Sequence, residues 1–407
     1  MSLKLIRNIL LVAGFTTVVF GTGYKLGLSQ SPVPYLKPTF SNTDVPATKN
    51  VDFALFWDVW SRLEDSFIDK KALDPEKMFY GAISGMVSSL EDPYTAFLPP
   101  KENKDAKDSL AGHFDGIGAQ LGIKDKKIIV VAPLSGTPAE AAGLKSGDWI
   151  VKVNGKETVN WNLPQAVSNI RGERGTKVTL NILSEGETEP RDVEIIRDNI
   201  NVPSVVWEVK TASGSAKKSI HLKLSQFGGQ TNDEWLKGVS EINSYLATDS
   251  AKTVKGIVLD MRNNPGGYLS GAVFIASEFL PDGAVVLQED KTGRRQTFSV
   301  NREGKLTNIP LVVLINRGSA SASEIVAGAI QDRKRGRVVG EVSFGKGSIQ
   351  DVQELQGGAG LHVTVAKWLT PSGKWINRDG VTPDVKVEPD EENPENDVQF
   401  NKAIEIL

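Results

Sequence analysis

Three alternating serines, Ser319, Ser321 and Ser323, interrupt the stretch PLVVLINRGSASASEIVAGAIQD between an apolar run and a helical pattern. Two readings compete there. A serine at a helix start is an ordinary N-cap. A serine at a tight turn between a buried strand and a helix also stands at the sheet edge, where free helix amides can stabilise negative charge. The small neighbours Gly318, Ala320 and Ala322 would let a substrate backbone come close. An acyl-transfer serine needs a base. His113 stands at the mouth of a separate block, and His221 and His362 fall inside strand patterns, where a satisfied or edge-exposed imidazole is the default. A lysine sits better: VGEVSFGKGSIQ sets Lys346 between Gly345 and Gly347 in a loop joining two strands. A desolvated lysine loses basicity and can accept a proton near neutral pH, and serine with lysine is a variant of triad logic. Gln350, four residues on, could hold the amine by a hydrogen bond. In LDMRNNPGGYLSGAV a strand ends in a Gly266-Gly267 turn before a helix. The amide of Gly267 with that of Ala322 would form an oxyanion hole; a plain strand-to-helix turn reads the same residues equally well.

Such groups need rigid elements to hold them. Residues 201–390 alternate strands with longer helices, and PLVVLINR is apolar almost throughout, as in a central strand. This predicts an α/β core on a largely parallel sheet. Residues 112–200 mix short strands, two helices and an Asn154-Gly155 hairpin turn, a compact αβ module. Residues 51–111 read as a helical region, with Phe53, Phe56, Trp57, Trp60 and Phe67 on one face as expected core and a second helix opening at Asp74-Pro75. The tail, 391–407, carries an acidic stretch and an amphipathic piece with Phe400, Ala403, Ile404 and Leu407 that could dock back. The fold class is thus multidomain, α/β and α+β.

Composition narrows the chemistry. The 407 residues hold no cysteine and carry a net charge of −3. Disulfides, a thiolate nucleophile and cysteine metal sites are excluded. No basic stripe with interleaved aromatics points to nucleic acid, and no tandem repeat is visible. No metal or organic cofactor is expected. Lys4 and Arg7 precede an uncharged run from Asn8 to Tyr24. Its 17 residues lie at the short end of a bilayer span. Residues 1–28 are therefore expected to be an uncleaved membrane anchor, with a cleaved signal peptide as the alternative. Lys25 and the lack of an A-x-A site favour the anchor. Either way the body would lie outside the cytoplasm, joined through a Pro- and Ser-rich linker, 29–50.

Together FDGIGAQLG, LDMRNNPGG, GSASASEI, GEVSFGKGSIQ and TPSGKWINRDGVTPDV resemble the C-terminal processing peptidases, or tail-specific proteases, over roughly residues 51–390. The resemblance implies a PDZ-like domain at 112–200 and a crotonase-like protease core at 201–390. It implies Ser321 as nucleophile, Lys346 as general base and Gln350 as the residue orienting the lysine. Asp260, Arg262 and Glu324 fall on supporting polar positions. In the PDZ-like block, Gly116-Ile117-Gly118-Ala119 would present amides to a substrate's C-terminal carboxylate before an accepting strand. This loop departs from the Gly-Leu-Gly type of many PDZ domains. Arg171 is a weaker candidate for a polar contact between module and core, against a solvated surface arginine. The expected partners are proteins or peptides with free C-termini and, through the N-terminal segment, the membrane; homo-oligomerisation is left open. The rivals are a catalytically silent PDZ tail-binding scaffold and a crotonase-like acyl-CoA enzyme. The first predicts a broken dyad, and the second leaves the PDZ block and the loop lysine unexplained.

Overall fold

The structure, a computed structural model, describes residues 52–407 apart from 125–126, 135, 146, 160, 162, 185, 213–216, 391 and 394–395. The expected anchor and linker lie outside the described residues. Among the described residues no helix is long and apolar enough to cross a membrane. The chain divides at Asp74 into two compact units.

The first unit contains helix α1 (Ala54–Ser66), which buries none of its residues. Among the described residues the core expected from its aromatic stripe is not formed: Phe56 packs on Trp57 at 5.0 Å between ring centroids, and Trp57 stays 43% exposed. The periodicity was that of an amphipathic helix, but a helical period does not say what covers the apolar face.

The second unit opens with α2 (Pro75–Ser88), a short strand β1 (Ala96–Leu98) and α3 (Pro100–Leu110). Val87 of α2 and Phe97 of β1 share a small buried cluster with Ala359. Helix α3 was not foreseen; KENKDAKDSL buries only Asn103 and has almost no apolar face to reveal it.

The next block begins with β2 (His113–Gly116). A small sheet follows: β3 (Ala119–Lys124), β4 (Lys127–Pro133), β5 (Trp149–Val153), β6 (Lys156–Glu157), β7 (Lys177–Leu183) and β8 (Arg191–Ile196). Helix α4 (Pro138–Ala141) follows β4, and α5 (Leu163–Ile170) follows β6. The sheet order is β3-β4-β5-β7-β8, so β3 is an edge strand. Ile128, Val130, Ile150, Val178, Leu180 and Ile182 alternate inward to form its core. Strand β9 (Asp198–Asn201) pairs antiparallel with β2 and closes the block at its base.

The remaining chain builds two sheets. One runs β10 (Val205–Thr211), β11 (Lys218–Leu224), helix α6 (Thr231–Leu246) and β12 (Val254–Asp260), then helix α7 (Leu269–Ala276). Next come β13 (Ala284–Asp290), β14 (Arg295–Ser299), β15 (Leu311–Ile315), α8 (Ala322–Asp332) and β16 (Arg337–Gly340). Last are β17 (Ser348–Glu354), β18 (Gly360–Leu369), β19 (Val385–Lys386) and α9 (Val398–Ile406). The order β10-β11-β12-β15-β16-β19 is parallel from β11 onward, as expected of apolar strands covered on both faces. One face packs against α6, α7 and α8; Trp235 and Phe279 meet edge-on there at 5.8 Å. The other carries Val258, Val312, Leu314 and Val339 against Phe400, Ala403 and Ile404 of α9, so the amphipathic tail does dock back. The second sheet, β1-β18-β13-β14 with β17 on β18, is antiparallel and was not read from sequence as a sheet.

Asp260 and Arg262 belong to the α9 face. Asp260 accepts from His221 Nε2 at 2.9 Å and from Arg262 Nη2 at 2.7 Å; Arg262 Nη1 donates to Asp397 Oδ1 at 2.8 Å. The Asp260 carboxyl is pushed up by burial, but its hydrogen bonds from His221 and Arg262 outweigh that and hold it well below the carboxylate range. These residues fasten the tail helix to the sheet.

Candidate active site

Strand β15 emerges from the sheet centre and turns at Asn316–Ser321 into α8. The three serine hydroxyls have different surroundings. Ser319 is fully buried; its Oγ donates to Met261 O at 2.8 Å and accepts from Asn316 N–H at 2.9 Å. Ser323 is also fully buried and donates to Ala320 O at 2.8 Å and Asn264 O at 3.0 Å. Ser321 is half-buried and opens α8 in a capping box with Glu324, and its hydroxyl donates to no group among the described residues. It has φ +56° and ψ −114°, a region a side chain rarely adopts and one that costs roughly 1–3 kcal/mol. Two serines thus pin the turn, and the middle one is the hydroxyl left available.

The loop after β12 packs directly on this turn. Asn264 O accepts the Ala320 N–H at 2.9 Å, and Asn264 Nδ2 reaches Leu224 O at 2.8 Å. Gly266 has φ +97°, and a Cβ there would sit 2.8 Å from Ser321 Cβ and 2.9 Å from Ala322 N. Glycine is therefore required by both dihedral and space. The amides of Gly267 and Ala322 donate to no acceptor among the described residues. One is flanked by bonded neighbours, and the other is the first residue of α8, where helix amides have no intrahelical partner.

The loop between β16 and β17 brings Lys346 to the same place. Glu324, fully buried on the first turn of α8, makes the junction. Its Oε2 accepts from Ser321 N–H at 2.7 Å and from Lys346 N–H at 3.0 Å; its Oε1 accepts from Ser343 Oγ at 2.6 Å and Gly345 N–H at 2.7 Å. Burial raises this carboxyl's pKa, and the four donors pull it back. A further link runs from Phe344 N–H to Ser319 O at 2.9 Å.

The Lys346 side chain is mostly buried, and burial lowers its pKa, opposed by the charges of Asp92 and Glu324. Its Nζ lies 5.0 Å from the centroid of the Tyr94 ring. Among the described residues it makes no hydrogen bond, to Ser321 or to any other group. Gln350 is directed elsewhere: its Nε2 donates to Ser348 Oγ at 2.9 Å and Thr364 Oγ1 at 3.1 Å. This leaves Oε1 as the atom that could accept from an amine. Asp92, whose carboxylate takes Thr95 Oγ1 at 2.6 Å, and Tyr94 form the turn facing the lysine; they were not singled out from sequence, because nothing local in EDPYT announces a partner far along the chain. Beside them opens a cavity of about 730 Å³ lined by Tyr94, Ser348, Thr364, Trp375, Asn377 and Arg378, among others.

In the small block, Gly116 ends β2, Ile117 is buried in the core and Ala119 begins the edge strand β3. Gly118 has φ +77° and its Cβ position is occupied by Thr137, whose Oγ1 donates to Gly118 O at 2.9 Å. Helix α5 lies against β3. Arg171, expected in solvent, is instead half-buried with its guanidinium 4.2 Å from the Phe114 ring centroid, and burial lowers its pKa. Arg197, unnoticed in sequence, caps the end of α5 through Nε to Ile170 O at 2.7 Å.

A PDZ module joined to an α/β core with this turn defines a class of peptidase. The PDZ domain model matches residues 105–183, and the peptidase family S41 model matches residues 219–387. The carboxy-terminal-processing protease of Bartonella bacilliformis is 39% identical over 339 residues, covering 82% of this chain and 75% of that protein. The carboxyl-terminal-processing protease of Synechocystis sp. is 36% identical over 355 residues, covering 86% and 81%. Among solved structures, the photosystem II D1 C-terminal processing protease is 32% identical with a TM-score of 0.51, covering 83% of this chain and 93% of that one. The chain belongs to the carboxy-terminal processing proteases of peptidase family S41, serine peptidases that carry a PDZ domain.

Proposed function

We propose that Ser321 attacks the scissile carbonyl of a protein substrate near its C-terminus while the neutral amine of Lys346 takes the hydroxyl proton. The Gly267 and Ala322 amides stabilise the oxyanion, and water then releases the acyl-enzyme. Gln350, through Oε1, steadies the amine. Asp260 and Arg262 support the site from behind the sheet, and Glu324 registers its two loops. The observation that carries this reading is the shared carboxylate oxygen: Glu324 Oε2 accepts from the amides of both Ser321 and Lys346. The two side chains therefore spring from adjacent backbones, and rotation of the lysine is what joins them. Ser321→Ala and Lys346→Ala should each lower hydrolysis of an unfolded protein with an apolar C-terminus by on the order of 10⁴-fold, with thermal midpoints near wild type. Activity within tenfold of wild type in either variant would sink the dyad.

Substrate capture is assigned to the free edge of β3 beside α5. There an incoming tail extends the sheet at its free edge, and the amides of residues 116–119 receive its carboxylate. The reading is supported by the edge position of β3 and the left-handed Gly118. The body acts outside the cytoplasm, tethered by residues 1–28; the mass of the mature N-terminus in a membrane fraction tests this.

A further inference from the structure

We propose that Trp375 is a positioning residue for the base: its indole N–H holds the loop from which Lys346 projects, while its ring lines the cavity where a substrate side chain would lie. This rests on the reading of Lys346 as base. Every backbone polar group of Gly345, Lys346 and Gly347 is taken by another segment. The Gly345 and Lys346 amides go to Glu324, and Gly345 O accepts from Arg378 N–H at 2.8 Å. Lys346 O accepts from Trp368 Nε1 at 2.9 Å. Gly347 N–H donates to Asn377 Oδ1 at 3.2 Å, and Gly347 O accepts from Trp375 Nε1 at 2.9 Å and from Trp368 N–H at 3.1 Å. A loop held in this way keeps its lysine at one point of departure, which is what proton transfer to a fixed acceptor requires.

The two tryptophans differ in what else they touch. Trp368 is fully buried and packs in the main core. Trp375 is 46% exposed and lines the 730 Å³ cavity, with Lys367 Nζ 5.3 Å from its ring centroid and that lysine paired to Glu289 at 2.6 Å. Its bond is made room for by glycine: a Cβ on Gly347 would fall 2.6 Å from Trp375 Nε1 and 2.8 Å from Asn377 Cβ. An exposed indole with a bonded N–H thus connects the cavity to the base loop. The charged and titratable groups around the amine itself are Asp92 and Tyr94 from the turn before β1, Glu324 from α8 and His362 from β18. Trp375 acts on the backbone that carries the amine, not on the amine.

Trp375→Phe removes the N–H and keeps an aromatic ring in the cavity. Its kcat should fall by about tenfold, the effect of one lost hydrogen bond, with KM and thermal midpoint unchanged. The Lys346 pKa should rise as the loosened loop exposes it. That pKa is read without turnover, from the pH dependence of Lys346 acetylation by acetic anhydride followed by peptide mass mapping. Gly347→Ala, which pushes the indole away, should repeat both changes. Wild-type kcat together with a wild-type acetylation profile in Trp375→Phe overturns the proposal. So does an activity loss that merely tracks a lowered thermal midpoint. If Lys346→Ala stays active, the base reading fails instead, and a displaced acetylation profile in Trp375→Phe still supports the clamp.

Discussion

The serine turn and the lysine loop meet at one carboxylate, yet they are held by different means. The turn continues a central strand and is fixed by main-chain carbonyls of the loop after β12: Ser319 on Met261 O, Ala320 and Ser323 on Asn264 O. The loop crosses from one sheet to the other and is fixed by side chains drawn from α8, β18 and the segment after it, together with main-chain bonds from Arg378, Trp368 and Phe344. A turn seated on main-chain carbonyls tolerates change in remote side chains; a loop that also leans on several side-chain bonds yields those one at a time. The difference teaches that the position of Ser321 is set mainly by the path of the main chain, and that of Lys346 also by particular side chains.

Glu324→Ala tests the point where both share a support. It strands four donors, so activity should fall on the order of 10³-fold and stability by about 3 kcal/mol, read from kcat and the urea midpoint. A variant that lost activity but no stability would mean that the carboxylate serves chemistry alone. Asn264→Ala attacks the loop beneath the turn. It removes buried bonds to Leu224 O and Gly266 N–H and should cost about 2–3 kcal/mol, with kcat down roughly 30-fold. Asn377→Ala attacks the loop only, removing one 3.2 Å bond to Gly347 N–H; kcat should drop about fivefold with the urea midpoint nearly unchanged. Equal stability losses in the two asparagine variants would erase the contrast.

The smallest effect is one of pH. The base must be neutral, so kcat/KM rises with pH through the Lys346 pKa and is lost as pH falls below it. Because burial disfavours the ammonium, that limb should lie below the ordinary lysine range. Asn377→Ala should move it up and Asn264→Ala should leave it in place, in pH profiles measured with one substrate. An acid limb at the ordinary lysine value in the wild type would contradict a buried base.

The same contrast explains what could be read from the chain alone. The strand, turn and helix around Ser321 are contiguous, so PLVVLINRGSASASEI announces them by apolar run, small residues and helical period. Lys346 stood out by its glycine neighbours in VGEVSFGKGSIQ, and the resemblance to the family added Glu324. What local pattern cannot carry is pairing across long separations. Asp92 and Tyr94 reach the lysine from over 250 residues away, as the bond from Thr364 N–H to Thr95 Oγ1 spans a separation of 269. Trp375 lay within a quoted motif, but nothing nearby linked its N–H to Gly347. Polar helix α3 had no apolar face to betray it, and the aromatic face of α1 promised a core that this helix does not have.

Sharing one oxygen between the Ser321 and Lys346 amides also sets a clock. In the proposed dyad, with both backbones fastened to it, the amine would leave the Tyr94 ring for the hydroxyl by torsion about its own four-carbon stem. Torsions of exposed side chains run in roughly picoseconds to nanoseconds and loop motions in roughly nanoseconds to microseconds, whereas domain rearrangements take roughly microseconds to milliseconds. Arming the nucleophile would then be far quicker than an enzyme's turnover of roughly 1–10³ per second, leaving arrival of the tail and departure of its fragments to set the tempo.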